Sequence, residues 1–446
     1  MQFRRRGLVK AAGAALAFGQ AGFGARLLGQ TLPGEGFGTP LGLSPFTAGV
    51  YRARRADLMA RIKTGVAVVF GADRPASSGS TEVPFAQDGN FAWLTGITDE
   101  AGAILLLAPT ERTIREWLLL PSRDVEGERW SSERLPLGSL IEERTGIQRV
   151  YRTSSLGGVV SSLAERSRDL HYLGPIVSAD APVPRELELY GKVVGRVPGA
   201  SIKDDSALMP SLRVVKEPRE LAVMAKAMDA TRAGHLAAMK AVRPGMTERQ
   251  LKFILENAFV AAGGTGLAYG SIVASGRNAA SLHYVDASGT IGANDLILID
   301  AAASVNGYAC DVTRTFPASG RFTAEQRQLY ELVLTAQNAA VAKLKAGAYY
   351  EDISEAARGV FRKAGLIDQF THGLGHFVGL DVHDIGDTSK PLPAGSVITM
   401  EPGIYNQAGN YGIRIEDLYL VTATGAERLS TGIPRTVDEI ESFMAR

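Results

Sequence analysis

The segment THGLGHFVGLDVHD, residues 371–384, places His372, His376 and His383 within twelve residues of a chain that has only 6 histidines. Imidazole is the side chain suited both to proton transfer near neutral pH and to ligation of transition metals. The four-residue spacing of HGLGH is that of a zinc-protease helix, but the glutamate that activates water in such helices is missing. Its two internal glycines would each cost a helix about 1 kcal/mol, so a loop or strand is expected. Gly373-x-Gly375 lacks the lysine that follows a phosphate-cradling loop. Taken alone, the stretch leaves two readings open: structurally satisfied histidines, or a metal or catalytic group.

Four acidic residues add to it. Asp300 closes the apolar run LILID, and Asp311 sits in the following strand-like run, so facing strands of one hairpin would bring their carboxylates together. Glu401 follows VITM and precedes Pro-Gly, and Glu416 lies in GIRIED, where strand alternation points it away from Ile415 and Asp417. One such acid is commonly a turn or surface residue. Four at the ends or interiors of apolar strands are hard to bury without a cation.

Asp300, Asp311, His376, Glu401 and Glu416, with their flanking residues, resemble the dinuclear metallopeptidase family with the pita-bread fold, of the Xaa-Pro aminopeptidase and prolidase type. The matching text is LIDAAASVNGYACDVTRTF, HGLGHFVGLDVHD, MEPGIY and GIRIED. LRVVKEPRELAVMAKAM resembles the first helix of the family's catalytic domain, and NFAWLTGITDEAGAILLL its N-terminal domain. The resemblance implies two divalent metal ions, with Asp311 and Glu416 bridging, Asp300 completing one shell, and His376 with Glu401 the other. Manganese is expected first, with zinc, cobalt and iron as alternatives, because the donors are rich in oxygen and affinity order alone does not decide occupancy. It further implies Glu401 as general base, His283 (in SLHYVD) and His383 as hydrogen-bond donors to the negative intermediate, and His372 beside the departing residue. Arg414 would orient the acids or contact substrate.

The implied activity is release of an N-terminal residue from a peptide substrate with proline at the second position. An Xaa-Pro dipeptidase and a broader aminopeptidase are alternatives. Retention of five ligands argues against a metal-free creatinase-like hydrolase, and a non-enzymatic peptide-binding module of the same fold is the remaining reading. Three departures bear on substrate length and proline preference. Asp300-Ala301-Ala302 stands where relatives carry Asp-Ala-Gly, Asn90 stands where aminopeptidases often have an acid, and the loops DIGDTSKPLPAG and NQAGNYG are short. Fold analogy implies a homodimer or homotetramer.

The elements that must position these groups are legible in outline. At 446 residues the chain is long enough for two globular domains, and 45% hydrophobic against 21% charged residues is the balance of a globular protein. A net charge of +1 gives no basic excess for nucleic acid, which is excluded as a partner. MQFRRRGLVKAAGAALAFGQ resembles a twin-arginine export signal, expected over residues 1–25, and implies periplasmic localisation. Its apolar run of about 15 residues is too short for a stable membrane span. The single Cys310 excludes an intrachain disulfide.

A Gly/Pro-rich linker is expected over 26–47, then an α/β N-terminal domain over 48–205 and an α+β pita-bread (creatinase/aminopeptidase) catalytic domain over 206–446. The apolar stripe Leu221, Met224, Met228, Leu236, Met239 and Val242 predicts a long helix with Pro218 in its first turn. Thr247-x-x-Gln250 and Thr323-x-x-Gln326 read as capping boxes opening two more helices. His171 and His235 are expected to be structural.

Overall fold

The structure is a computed structural model that describes residues 44–73, 85–129 and 134–445. The expected export signal and all but the last residues of the expected linker lie outside the described residues.

The N-terminal half is a mixed six-stranded sheet with helices on both faces. In chain order its elements are α1 (Ala48–Ile62), β1 (Val66–Phe70), α2 (Gly89–Thr95), β2 (Ile104–Leu107), β3 (Glu116–Leu120) and β4 (Val150–Arg152). They are followed by α3 (Leu156–Ser167), β5 (Asp169–Tyr172), α4 (Arg185–Val194) and β6 (Ser201–Asp204). The strand order is β4-β3-β2-β1-β5-β6. The continuous apolar runs VAVVF, ILLL and WLLL form its three neighbouring strands β1, β2 and β3, because only strands covered on both faces can bury every side chain. The polar SIKD forms an edge. One face packs Leu105, Leu107 and Leu118 against Leu58, Phe91 and Leu94 of α1 and α2. The other packs Leu106 and Leu119 against Val160 and Leu163 of α3 and Tyr190 of α4.

A short helix α5 (Leu208–Arg213) leads to the second half, which begins with α6 (Pro218–Ala241) and α7 (Glu248–Ala261). Pro218 occupies the first turn of α6, where its missing N–H is no loss, and Glu217 and Glu220 cap each other's backbone there. The Thr247–Gln250 and Thr323–Gln326 boxes both form, opening α7 and α8 (Ala324–Val341). Arg54 of α1 is almost fully buried and pairs with Glu217 (2.9 Å) and Glu220 (3.2 Å), which ties the two halves at the start of α6.

The expected single hairpin is instead two nested ladders. β9 (Leu296–Asp300) pairs with β12 (Thr313–Pro317), with Asp300 opposite Thr313 and β8 (Ile272–Ser275) on its other side. Beyond Asp300 the chain leaves that sheet, and β10 (Ala303–Val305) pairs with β11 (Tyr308–Ala309) and with β7 (Gly266–Leu267). Asp311 therefore stands in an irregular link between β11 and β12, not directly opposite Asp300. GIRIED is likewise not one strand: β15 (Tyr411–Arg414) pairs with β14 (Gly403–Asn406), and β16 (Asp417–Val421) pairs with β13 (Val397–Met400). Glu401 and Glu416 fall in the two gaps where the paired chains switch partners. The break leaves backbone carbonyls without ladder partners, and Gln337 on α8 satisfies them, donating to Met400 O (2.9 Å) and Ile415 O (3.1 Å). α9 (Tyr350–Lys363) packs on α8. No helix of the described residues is long and apolar enough to cross a membrane.

Candidate metal centre

The five predicted ligands come from four separate segments and meet in one volume. Tyr269, just after β7, donates its phenol to Asp300 Oδ1 at 2.5 Å and also to Asp311 Oδ1, so the two carboxylates share one donor. His376 Nε2 lies 3.4 Å from Asp311 Oδ2 and 3.4 Å from Glu401 Oε1. Ligand atoms of Asp311, His376 and Glu416 all lie within 4.8 Å of one another. The other ring nitrogen of His376 faces the Phe377 carbonyl at 3.1 Å, an arrangement that leaves Nε2 free for the acids. Thr313 donates to Glu416 Oε2 (2.7 Å) and Thr399 to Glu401 Oε1 (3.3 Å).

The backbone explains how the irregular segment reaches this point. Gly375 sits between His372 and His376, and a Cβ there would meet the Thr399 carbonyl oxygen at 2.1 Å. Only glycine lets the HGLGH segment lie against β13, where the His376 amide donates to Thr399 Oγ1 and the Glu401 amide to Leu374 O.

The electrostatics describe a site short of positive charge. Burial pushes the Glu416 carboxyl well above the usual carboxylate range, and the charges of Asp311, Glu401 and Asp300 push it further. Burial likewise raises Asp311, and it raises Glu401 to about 7 against the pull of His376 and Arg414. Burial works against charge on His376, yet the hydrogen bond to Asp311 and the charges of Asp311 and Glu401 lift it to about 9. The cluster thus draws protons onto its own members. Arg414 supplies one fixed charge, reaching Asp300 Oδ2 at 2.5 Å, Tyr405 Oη at 2.9 Å and Thr313 Oγ1 at 3.1 Å. Glu416 Oε1 remains buried with no hydrogen-bond partner. Crowded carboxylates, one imidazole and an orphaned buried oxygen fit divalent cations of the manganese-to-zinc series.

The other predicted histidines rim the cluster. The His383 ring lies 4.0 Å from that of His376. His372 bonds Tyr405 Oη through Nε2 (2.8 Å), and its Nδ1 is 3.9 Å from Glu401 Oε2. Burial, then the Arg414 charge, lowers His372 to about 4, and burial together with His376 and His283 lowers His383. Both shifts favour the neutral imidazole, which has one N–H to donate. His283 sits on an exposed loop close enough to influence both. His171 and His235 lie elsewhere, His171 on Asp205 (2.5 Å) and the fully buried His235 on Ala301 O (2.9 Å).

Sequence reasoning missed Tyr269, Tyr405 and a buried ion cluster beneath His383. In that cluster Asp384 accepts from Lys216 Nζ (2.7 Å) and Arg213, which also reaches Asn90 Oδ1 (2.7 Å) and Asp381 Oδ2 (2.8 Å). No local signal marks the tyrosines. The VHD text after the histidines was a signal for Asp384, but its partners lie over 160 positions away.

Residues 222–423 match the metallopeptidase family M24, and residues 51–172 match the aminopeptidase P N-terminal domain. The chain is 31% identical over 430 residues to the Xaa-Pro aminopeptidase of Escherichia coli (strain K12), covering 88% of this chain and 97% of that protein. It is similar to the solved structure of a putative aminopeptidase P from Bacillus anthracis, with a TM-score of 0.82, 30% identity and coverage of 90% and 98% of the two chains. A zinc-substituted aminopeptidase P from E. coli in complex with product matches with a TM-score of 0.79 at 28% identity, over 90% of this chain and 98% of that one.

Proposed function

The chain belongs to metallopeptidase family M24, and we propose that it is a metal-dependent Xaa-Pro aminopeptidase, releasing the N-terminal residue of a peptide whose second residue is proline. One observation carries the reading: Asp300, Asp311, Glu401, Glu416 and His376 converge from four chain segments on a volume where four carboxylates face a single fixed charge, that of Arg414. Its similarity to Xaa-Pro aminopeptidases along nearly their whole length supports the substrate class.

In this reading Asp300, Asp311, His376, Glu401 and Glu416 would hold two divalent ions, manganese first. When bound, the ions would polarise the scissile carbonyl and acidify the attacking water. Glu401 is the proton acceptor, since its Oε2 lies toward His372, away from the oxygen that meets His376, and burial already favours its protonated form. The imidazoles of His383 and His283 donate hydrogen bonds where negative charge develops, and His372, held by Tyr405, lines the position of the departing residue. Arg414 orients Asp300.

The proposal extends to an N-terminal domain over 48–205 and a catalytic domain over 206–446. It also includes periplasmic export directed by residues 1–25, and assembly as a homodimer or homotetramer. The test is turnover of an Xaa-Pro-Xaa tripeptide against an Xaa-Pro dipeptide and an Xaa-Ala-Xaa tripeptide, before and after exhaustive chelation. The proline tripeptide is expected to be cleaved fastest, with activity lost on chelation and restored by manganese. Cleavage that survives metal removal overturns the proposal.

A further inference from the structure

His283 is an exposed side chain on a segment with no regular secondary structure between Leu282 and Gly289, so something beneath the loop must hold it. That support converges on one residue. Glu248, the first residue of α7, is fully buried. Its Oε1 accepts from the Ser275 amide (2.7 Å), Ser275 Oγ (2.8 Å) and Asn278 Nδ2 (3.1 Å). Its Oε2 accepts from Tyr284 Oη (2.8 Å) and the Gly289 amide (2.7 Å). Every one of these donors is neutral and belongs to the stretch 275–289, which contains His283.

The arrangement is built around that carboxylate. Tyr284, the residue after His283, also accepts from Asn278 Nδ2 (3.0 Å) and the Ser288 amide (3.0 Å), so the phenol is the hub of the loop and Glu248 is its anchor. A Cβ at Gly289 would fall 2.8 Å from Glu248 Oε2, so the backbone approaches as closely as glycine allows. The first turns of α7 grip the same loop twice more, Arg249 through the Asp286 carbonyl (3.1 Å) and Lys252 through that of Val285 (3.2 Å). A carboxylate at the N-terminal turn of a helix is favoured by the helix dipole, and charge-assisted bonds to neutral donors are stronger than neutral pairs. A network of this kind fixes one loop conformation, because each donor loses its partner if the loop moves.

We propose that Glu248 is a positioning residue for the reaction, holding the loop through Tyr284 so that His283 faces the scissile bond. The inference rests on the role given to His283 above. An amide at this position replaces one acceptor oxygen by a donor that faces donors, so Glu248→Gln releases the loop without changing its size.

The experiment is a double-mutant cycle of Glu248→Gln and His283→Ala in the metal-loaded enzyme, read as kcat/KM on an Xaa-Pro-Xaa peptide, with metal content and hydrogen exchange of residues 281–290 measured alongside. Glu248→Gln is expected to lower kcat/KM by roughly 10- to 100-fold, the scale of a small misplacement of a reacting group, with metal content unchanged and loop exchange faster. On the His283→Ala background the same change is expected to cost less than about 2-fold, because a residue acting through another has nothing left to position. Tyr284→Phe removes a single link and is expected to show a smaller loss with the same dependence on His283, which keeps the proposal testable if Glu248→Gln folds poorly. Undiminished activity in Glu248→Gln, or its full loss repeated on the His283→Ala background, overturns the positioning role alone. Full activity in His283→Ala overturns the role of His283 and this inference with it.

Discussion

Replacing Asp384 by alanine tests whether the ion cluster under His383 is as dry as it looks. The Asp384 side chain is 1% exposed, and its partners Arg213 and Lys216 are each 2% exposed. Removing the anion strands two buried cations, Lys216 keeping only the Arg213 carbonyl (2.7 Å) and Arg213 keeping Asn90 and Asp381. Breaking a buried pair in this way costs about 3–5 kcal/mol, because the partner charge stays desolvated. Asp381 is an internal control: it binds the same guanidinium at 2.8 Å but is 40% exposed, so water replaces it and its removal is expected to cost less than about 1 kcal/mol. Urea denaturation of Asp384→Ala and Asp381→Ala, followed by fluorescence, measures both. Equal losses for the two variants, or a loss below about 1 kcal/mol for Asp384→Ala, would refute the claim that the cluster excludes water. Asp384 adjoins His383, so its loss is also expected to lower kcat.

Two further outcomes follow from the centre itself. In the metal-free protein Glu401 and His376 both have raised folded-state values, about 7 and about 9, so each contributes stability at low pH that is lost as pH rises through those values. Bound cations take the place of those protons, so the gap in Tm between metal-loaded and chelated protein is expected to widen from about pH 5 to about pH 9; a constant gap would count against the charge reading. Gly375→Ala would place a methyl 2.1 Å from a backbone oxygen, and overpacking of this kind is expected to cost about 1–3 kcal/mol and to lower metal affinity, read by denaturation and by chelator competition.

Much of this is legible in the sequence. Capping boxes at Thr247 and Thr323 are local signals, set by nearest neighbours, and they appear in the structure where the pattern places them. Asp300 closes its strand as the apolar run implied. The single-strand reading of GIRIED failed in a specific way. Alternation in GIRIED predicts one strand, but the ladder changes partner at Ile415 and Glu416, and the cost of the break is met by Gln337, 79 positions from Glu416. No local pattern reports a satisfied carbonyl that far away.

The amino-acid sequence by itself determined which chemical groups are available and which helices and strands carry them, because propensity, capping and periodicity act over a few residues. Tertiary structure alone decided that Tyr269 bridges two aspartates, that Gly375 lies on Thr399, and that Glu248 anchors the loop of His283. The physical reason is that each depends on desolvation and approach distance between segments remote in the chain, and those quantities exist only once the chain has packed.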